Sequence, residues 1–409
     1  MQADYDVAIV GGGMTGAGLA CALAGGPLRV ALIEAVPVRN DTQPSYDDRG
    51  LSLALSSRRI LDGLGLWPAL AREATPIEHI HVSDRGRFGF VRLHAADMGV
   101  PALGYVVPAR ELGRVLLAGV AGADNVDFLC PAEVTRARPG PDRVALEFAA
   151  GGPEQGLSCR LLVIADGTRS ALRDALGMEV EIRDYGQTAI VATVTPERPH
   201  HNWAYERFTD TGPLALLPLT RGRCALVYTV PTAAAAEYLA LSDSTFLDRA
   251  RARFGRRLGR LQHPGTRKSY PLLRLVAREP LGDRLVLLGN AAHTVHPNAA
   301  QGFNLGLRDV AALAEQLATA ADPGARESLA AWCAARRRDQ ERVLRFTDGL
   351  ARLFSSNRPE RIILRDSGML LTDLLPGLKR GLMRRAMGIN GRQPQLVLGP
   401  ALPENPVDY

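Results

Sequence analysis

The stretch Tyr5-Asp6-Val7-Ala8-Ile9-Val10-Gly11-Gly12-Gly13-Met14-Thr15-Gly16-Ala17-Gly18-Leu19-Ala20-Cys21-Ala22-Leu23-Ala24 decides the fold. Tyr5 to Val10 is a short apolar run cut off by glycines, which suits a buried parallel strand. The small residues from Ala17 to Ala24 are helix-compatible. Gly11, Gly13 and Gly16 have the G-x-G-x-x-G spacing. That spacing lets a tight turn bring backbone N–H groups and a helix N-terminus against a pyrophosphate. Leu28 to Ile33 is a second buried strand, and it ends at Glu34, 23 residues after Gly11. An acid ~20 residues on can accept hydrogen bonds from a ribose. Strand, glycine turn, helix, second strand and terminal acid therefore predict a dinucleotide-binding unit, against the plainer reading of an α/β turn with a surface Glu. An acid at this position disfavours a 2′-phosphate, which leaves FAD and NAD open.

Val7 to Leu28 carries no charge over 22 residues, but seven of them are glycine and Asp4 and Asp6 precede it. It reads as strand, turn and helix rather than as a membrane span or signal peptide. The whole chain has 409 residues, 46% of them hydrophobic and 22% charged, which fits a globular protein of two to three domains. Its five cysteines are widely spaced and form no C-x-x-C pair, which argues against a disulfide framework, a zinc site and a dithiol centre. A reduced, cytoplasmic location is expected, with peripheral contact at the inner face of a membrane left open. The net charge of +6 comes from Arg far more than Lys, since Lys268 and Lys379 are the only lysines. Residues 331–394 hold 14 basic and 6 acidic residues, so the excess sits near the C-terminus. No nucleic-acid module accompanies it.

Two later segments choose between the nucleotides. Leu161 to Ala165 is a buried strand followed by Asp166-Gly167-Thr168-Arg169-Ser170. Arg284 to Leu288 is another, ending in Gly289-Asn290-Ala291-Ala292-His293 and running into His296-Pro297-Asn298-Ala299-Ala300-Gln301-Gly302-Phe303-Asn304-Leu305-Gly306-Leu307-Arg308-Asp309. With these three motifs in order, the sequence resembles the class A FAD-dependent aromatic monooxygenases of the para-hydroxybenzoate hydroxylase type. The late motif is similar to the ubiquinone-biosynthesis hydroxylase branch, through His296, Pro297, Gln301, Gly302, Asn304, Gly306 and Asp309. His81 to Gly86, Glu206 to Thr209 and Gly212 to Ala215 look like the 2-polyprenyl-6-methoxyphenol hydroxylases of that branch. Three positions depart from its pattern: Asn290 stands for Asp, Asn298 for an aliphatic residue, and Ala300 for Gly.

The resemblance implies an α/β fold with a Rossmann-like FAD-binding domain, an inserted β-sheet substrate domain and a C-terminal helical part. It implies FAD as cofactor and NAD(P)H as co-substrate, with O2 adding at flavin C4a to give a hydroperoxide that the phenol ring attacks. Such chemistry belongs to the cofactor, and the chain shows no triad, metal cluster or carboxylate pair. The expected cofactor-binding residues are Gly11, Gly13, Gly16, Glu34, Arg49, Asp166, Gly167, Gly289, Asn290, Gln301, Gly302 and Asn304. Pro297, His296, His293 and Arg49 are expected at the reacting face; each histidine also has a purely structural reading, and Arg49 can instead pair with Asp47 or Asp48. Arg169 can reach NAD(P)H phosphates. The expected partners are a polyprenylated phenol and O2, with a biosynthetic complex or an oligomer open. Hydroxylation of another ring position or a non-prenylated aromatic, and a non-catalytic flavoprotein subunit, are the alternatives.

The expected division assigns 1–76, 105–178 and 275–340 to the FAD domain, 77–104 and 179–274 to the substrate sheet, and 341–409 to C-terminal helices. Leu51 to Leu64 reads as helical, and Ser242 to Phe254 as a capped helix over the sheet. Phe208, Leu216, Pro218 and Tyr228 can line a pocket or fill the sheet's core. Val343, Phe346, Leu350 and Leu353 recur at helical spacing, as do Leu371, Leu374, Leu375, Leu378 and Leu382. Because Pro376 and Gly377 interrupt the second series, we expect packed helices with a solvated basic face rather than a membrane-docking element.

Overall fold

Strand Tyr5–Val10 lies between Val30–Ile33 and Gln155–Ile164, parallel to both. The computed structural model describes residues 3–37, 49–296, 298–354, 359–390 and 393–398. Strands Val126–Leu129 and Leu285–Leu287 extend this sheet in parallel on its two sides. Val7 to Val10, Val30 to Ile33 and Leu161 to Ile164 are all buried, because helices cover one face of the parallel sheet and the antiparallel strands Glu133–Pro139 and Val144–Ala149 pack on the other. Helix Met14–Leu23 follows the glycine turn and packs on helices Ala109–Ala121 and Gln301–Thr319. Its small residues permit close approach, and Gly18 faces Leu307 of the second helix.

A second, nine-stranded sheet stands apart from the first. Its long strand Val180–Pro196 pairs antiparallel with Lys268–Ala277 on one side and Cys224–Pro231 on the other. Trp203–Thr209 runs parallel to His79–Asp84, so the early and late β inserts join in one sheet. Helix Asp243–Phe254 covers one face, capped by the Ser242 hydroxyl accepting from the Thr245 N–H. Phe246, Ala250 and Phe254 bury there with Ile190, Leu214, Leu216, Leu226 and Tyr228. Leu216 and Tyr228 thus fill the core between sheet and helix, while Phe208 stacks on Phe354 at a centroid distance of 3.4 Å. Strand alternation sends Ala189, Val191, Val227 and Leu272 to the other face, with Tyr185 and Tyr270 packed beside them.

Two expectations about segments need correction. Leu51 to Leu64 is not one helix: Gly50–Ala54 is a strand paired with Gly104–Pro108, and the helix is Leu55–Gly63. The pairing decides this, since Gly104 lets the strands approach so closely that a Cβ there would lie 2.5 Å from the Leu53 carbonyl oxygen. Local periodicity carries no trace of a partner fifty residues away. The division expected at 340–341 falls inside the continuous helix Arg326–Phe354, and that expected at 274–275 falls inside strand Lys268–Ala277.

The candidate active site

The three motif loops leave neighbouring parallel strands at one level. Gly11 N–H donates to the Ile33 carbonyl, Ala165 N–H to Val10 and Leu288 N–H to Ile164. All three loops therefore emerge at the carboxyl ends of the strands, where open α/β sheets bind ligands. Gly11 has φ +104°, and a Cβ on it would come 2.6 Å from the Ala165 carbonyl oxygen. A Cβ on Gly16 would come 1.9 Å from the Gly11 carbonyl oxygen, so only glycine lets this helix start directly against the turn. Gly13 precedes helix Met14–Leu23 in extended conformation. Glu34 is buried over the loop, its Oε2 accepting from Gly12 N–H at 2.6 Å and its Oε1 from Val36 N–H at 2.8 Å.

The second and third motifs are stitched together. Gly167 has φ +95° and Gly289 φ +59°, and Gly289 lies against Thr15 in the first turn of helix Met14–Leu23. Thr168 and Thr294 share a hydroxyl contact at 3.0 Å, and the buried Arg173 donates to the carbonyls of Thr168 and Ala291. Sequence reasoning passed over Arg173 as an ordinary helix residue, because its partners lie in two separate loops. Burial raises the Asp166 carboxyl above its ordinary range, and its Oδ1 is buried without a hydrogen-bond partner. Asn290 is exposed beside the buried Gly289, and Arg169 is exposed at the rim.

The late motif supplies polar atoms in a closed setting. Pro297 lies outside the described residues. His296 is 1% exposed; its Nδ1 accepts from the Asn298 N–H at 3.2 Å, which leaves Nε2 as the protonated nitrogen, buried and unpartnered. Burial pushes its pKa down to about 4, so the ring is neutral near pH 7. Asn298 is 2% exposed, and neither its Oδ1 nor its Nδ2 has a partner. Tyr185 of the second sheet meets the His296 ring edge-on at 4.8 Å, and Arg49 lies 5.0 Å over the Tyr270 ring. Asp47 and Asp48, the alternative partners of Arg49, lie outside the described residues. These contacts bring the second sheet against the motif loops, and they introduce two tyrosines that sequence reasoning did not single out.

Asn304 has a different task from the one expected of it. Its Oδ1 accepts from Ala54 N–H and Ser57 Oγ, and its Nδ2 donates to the Ser52 and Ala300 carbonyls. Its side-chain bonds tie helix Gln301–Thr319 to the Gly50–Ala54 strand, to Ser57 of helix Leu55–Gly63 and to the preceding Ala300, so it braces the site from behind. Ala300, at φ +49°, precedes that helix in the left-handed region, which the methyl group disfavours by roughly 1 kcal/mol. Gln301 is buried at the helix start, and Gly302 faces Val295.

A family model described as an FAD binding domain matches residues 4–347. The chain belongs to the FAD-dependent aromatic monooxygenases, in the branch that holds the ubiquinone hydroxylases. It is 40% identical to ubiquinone hydroxylase UbiL of Rhodospirillum rubrum, over 97% of this chain and 91% of that protein. It is 30% identical to 3-demethoxyubiquinol 3-hydroxylase of Escherichia coli, over 94% and 98%. In fold it is similar to p-nitrophenol 4-monooxygenase PnpA of Pseudomonas putida, with TM-score 0.78 and 17% identity over 96% and 100% of the two chains.

The residues present in this monooxygenase fit FAD. A Cβ on Gly11, Gly12 or Gly16 would meet Ala165, Glu34 or the Gly11 carbonyl, so glycine alone builds this turn of the kind that cradles a pyrophosphate, with Glu34 and Asp166 beside it. Behind the late motif lies a buried ionic network. Asp309, 1% exposed, contacts His293 Nε2 at 2.6 Å, Arg336 Nε at 2.5 Å and Gln340 Nε2 at 3.0 Å. Burial alone would raise this carboxyl; the charge of Arg336 and the contacts of His293 outweigh it and hold it well below the carboxylate range. Asp339 bridges Arg336 and Arg308. His293 is thereby fixed by a carboxylate, and its Nδ1 is buried without a hydrogen-bond partner.

Proposed function

We propose that this monooxygenase hydroxylates a polyprenylated phenol, 2-polyprenyl-6-methoxyphenol, in ubiquinone biosynthesis, using NAD(P)H and O2. The names of the relatives support the pathway. The observation that carries the site is the set of buried polar atoms without partners, His296 Nε2 and both side-chain polar atoms of Asn298, with Tyr185 of the second sheet against the His296 ring. Burying such groups without partners is unfavourable by about 1–3 kcal/mol each, and a ligand with oxygens and a hydroxyl relieves that cost.

In this reading Gly11, Gly13, Gly16, Glu34, Asp166, Gly167, Gly289, Asn290, Gln301 and Gly302 hold FAD, with Arg49 beside it. Bound FAD, reduced by NAD(P)H, supplies the electrons and delivers the oxygen atom from O2. The chain's own part is position and exclusion of water. His296 donates its Nε2–H to the phenolic oxygen; it is no base at neutral pH, because its Nδ1 lone pair already accepts from Asn298. The family resemblance assigns Pro297 to the oxygen-reaction site. His293, held by Asp309, orients the motif. Residues of the parallel-sheet part hold the nucleotide, and Ala189, Val191 and Leu272 present an apolar wall to the ring.

The test is turnover with FAD-loaded protein and short-chain prenylated methoxyphenols. The expected result is phenol-stimulated NAD(P)H oxidation, with one atom of labelled O2 in the product. Deleting the gene should then accumulate the matching unhydroxylated quinone precursor, identified by mass. Oxidised FAD that NAD(P)H never reduces, with any phenol present, would favour a non-catalytic subunit instead.

A further inference from the structure

Helix Pro359–Leu374 is amphipathic with its faces inverted. At 100° per residue, Ile363, Leu364, Leu371 and Leu374 fall on one side of it, and all four are exposed, by 52% to 67%. The opposite side, which packs on the protein, carries Arg365, Asp366, Met369 and Asp373. Arg365 forms a buried ion pair with Asp84 at 2.5 Å, and Asp373 accepts from the Arg92 N–H at 2.8 Å. A surface helix of a globular protein normally turns its leucines inward. Here specific polar anchors on two strands of the second sheet turn them outward, so the exposure is built into the packing.

The apolar face continues past the bend. Leu375 and Leu378 are exposed by 47% and 53%, and helix Pro376–Ala386 is fastened by the Lys379–Asp97 ion pair and by buried Met383. Arg380, Arg384 and Arg385 are exposed on the same helix. The expectation of inward-packed leucines with a solvated basic face is therefore corrected: methionines take the core side, only Leu382 of that series is half-buried, and the rest face out. This region also lies beyond residues 4–347, the span matched by the FAD-binding family, so cofactor binding does not account for it.

We propose that this tip, Ile363 to Leu378 with its arginine flank, docks the protein on an anionic lipid bilayer. Six exposed aliphatic side chains beside three exposed arginines match an interface of acyl chains beneath negative headgroups. A second copy of the chain fits less well, because a two-fold contact here would bring the same arginines together. No helix among the described residues is long and apolar enough to cross a membrane, so the contact is with the surface. If the substrate is polyprenylated, as read above, docking carries the site to the phase that holds it; the docking itself does not depend on that reading.

The experiment uses the full FAD-loaded chain with vesicles of phosphatidylcholine, alone or with one quarter phosphatidylglycerol, in a flotation assay without substrate. Binding to the anionic vesicles is expected, weaker by at least tenfold on phosphatidylcholine alone. The double variant Leu374→Glu, Leu378→Glu should lose at least tenfold in binding while keeping its flavin spectrum. Arg380→Glu with Arg384→Glu should remove the preference for anionic lipid. Absence of wild-type binding to the anionic vesicles overturns the proposal, as does undiminished binding of the leucine variant. A wild-type dimer that the leucine variant splits, without vesicle binding, would assign the face to a second copy instead. Turnover on soluble phenols by the leucine variant keeps this outcome separate from the fate of the proposed reaction.

Discussion

Replacing Arg336 by Met tests the network behind the late motif. The Arg336 side chain is 3% exposed and that of Asp309 1%, and they meet at 2.5 Å. Methionine fills similar space but leaves the Asp309 carboxylate with only His293 and Gln340, and takes one of two arginines from Asp339. Breaking a buried pair by removing one partner costs about 3–5 kcal/mol. At about 2–4 °C per kcal/mol for domains of 150–250 residues, and less for a longer chain, the midpoint should fall by roughly 5–10 °C. The pH dependence has a defined sign. Asp309 is depressed in the folded state, so its contribution is complete above the unfolded carboxylate value near ~3.9 and is lost as pH falls below it. In the variant the largest lowering influence is gone while burial remains, so the loss on acidification must shrink, and it turns into a gain if the folded carboxyl rises above the unfolded value. Thermal melts from about pH 2.5 to 8, followed by intrinsic fluorescence, read both effects. Adding Asp309→Asn should cost less than the two single changes summed, since the charge left unpaired is removed. A variant within 1 °C of wild type at every pH would refute the assignment of Asp309 as a buried carboxylate held by Arg336.

Three further outcomes follow from the site. Gly16→Ala places a methyl group on the Gly11 carbonyl oxygen, and overpacking of about 1–3 kcal/mol should appear as protein purified with less FAD per chain; full flavin content would contradict the cradle. Asn298→Leu removes two unpartnered buried atoms, so the ligand-free protein should hold or gain about 1–2 kcal/mol while KM for the phenol rises and product per NAD(P)H falls. A melt lowered by the change, with KM unmoved, would show Asn298 to be structural. His296, held near 4 by burial, is neutral when folded, so its contribution is complete above the unfolded value near ~6.5 and declines below it, by up to about 3 kcal/mol. His296→Gln should therefore flatten stability between pH 6.5 and 4 and leave the kcat/KM profile without a lost inflection between pH 6 and 8.

Local steric rules made much of the molecule legible in its amino-acid order. The glycines at 11, 13 and 16 announce the nucleotide turn because only they tolerate backbone atoms at contact distance, and that is a property of the residue itself. The Ser242 cap and the order of the three motifs were readable because caps and turns are set by a few neighbouring residues. Other features required partners far apart in the chain. Asn304 was expected at the cofactor, yet its side-chain hydrogen bonds go to Ser52, Ala54, Ser57 and Ala300 of the protein. Leu51 to Ala54 became strand because Gly104–Pro108 lay beside it.

The amino-acid order alone thus determined a dinucleotide-binding unit, since turn geometry and binary pattern act over a few residues, and the resemblance of its three motifs to a known family supplied FAD. Tertiary structure alone decided which loops meet, which histidine is neutral and which face of a helix is exposed. Those depend on burial and on charge pairs such as Arg336 with Asp309 and Arg365 with Asp84, whose energies arise only when distant segments exclude water together.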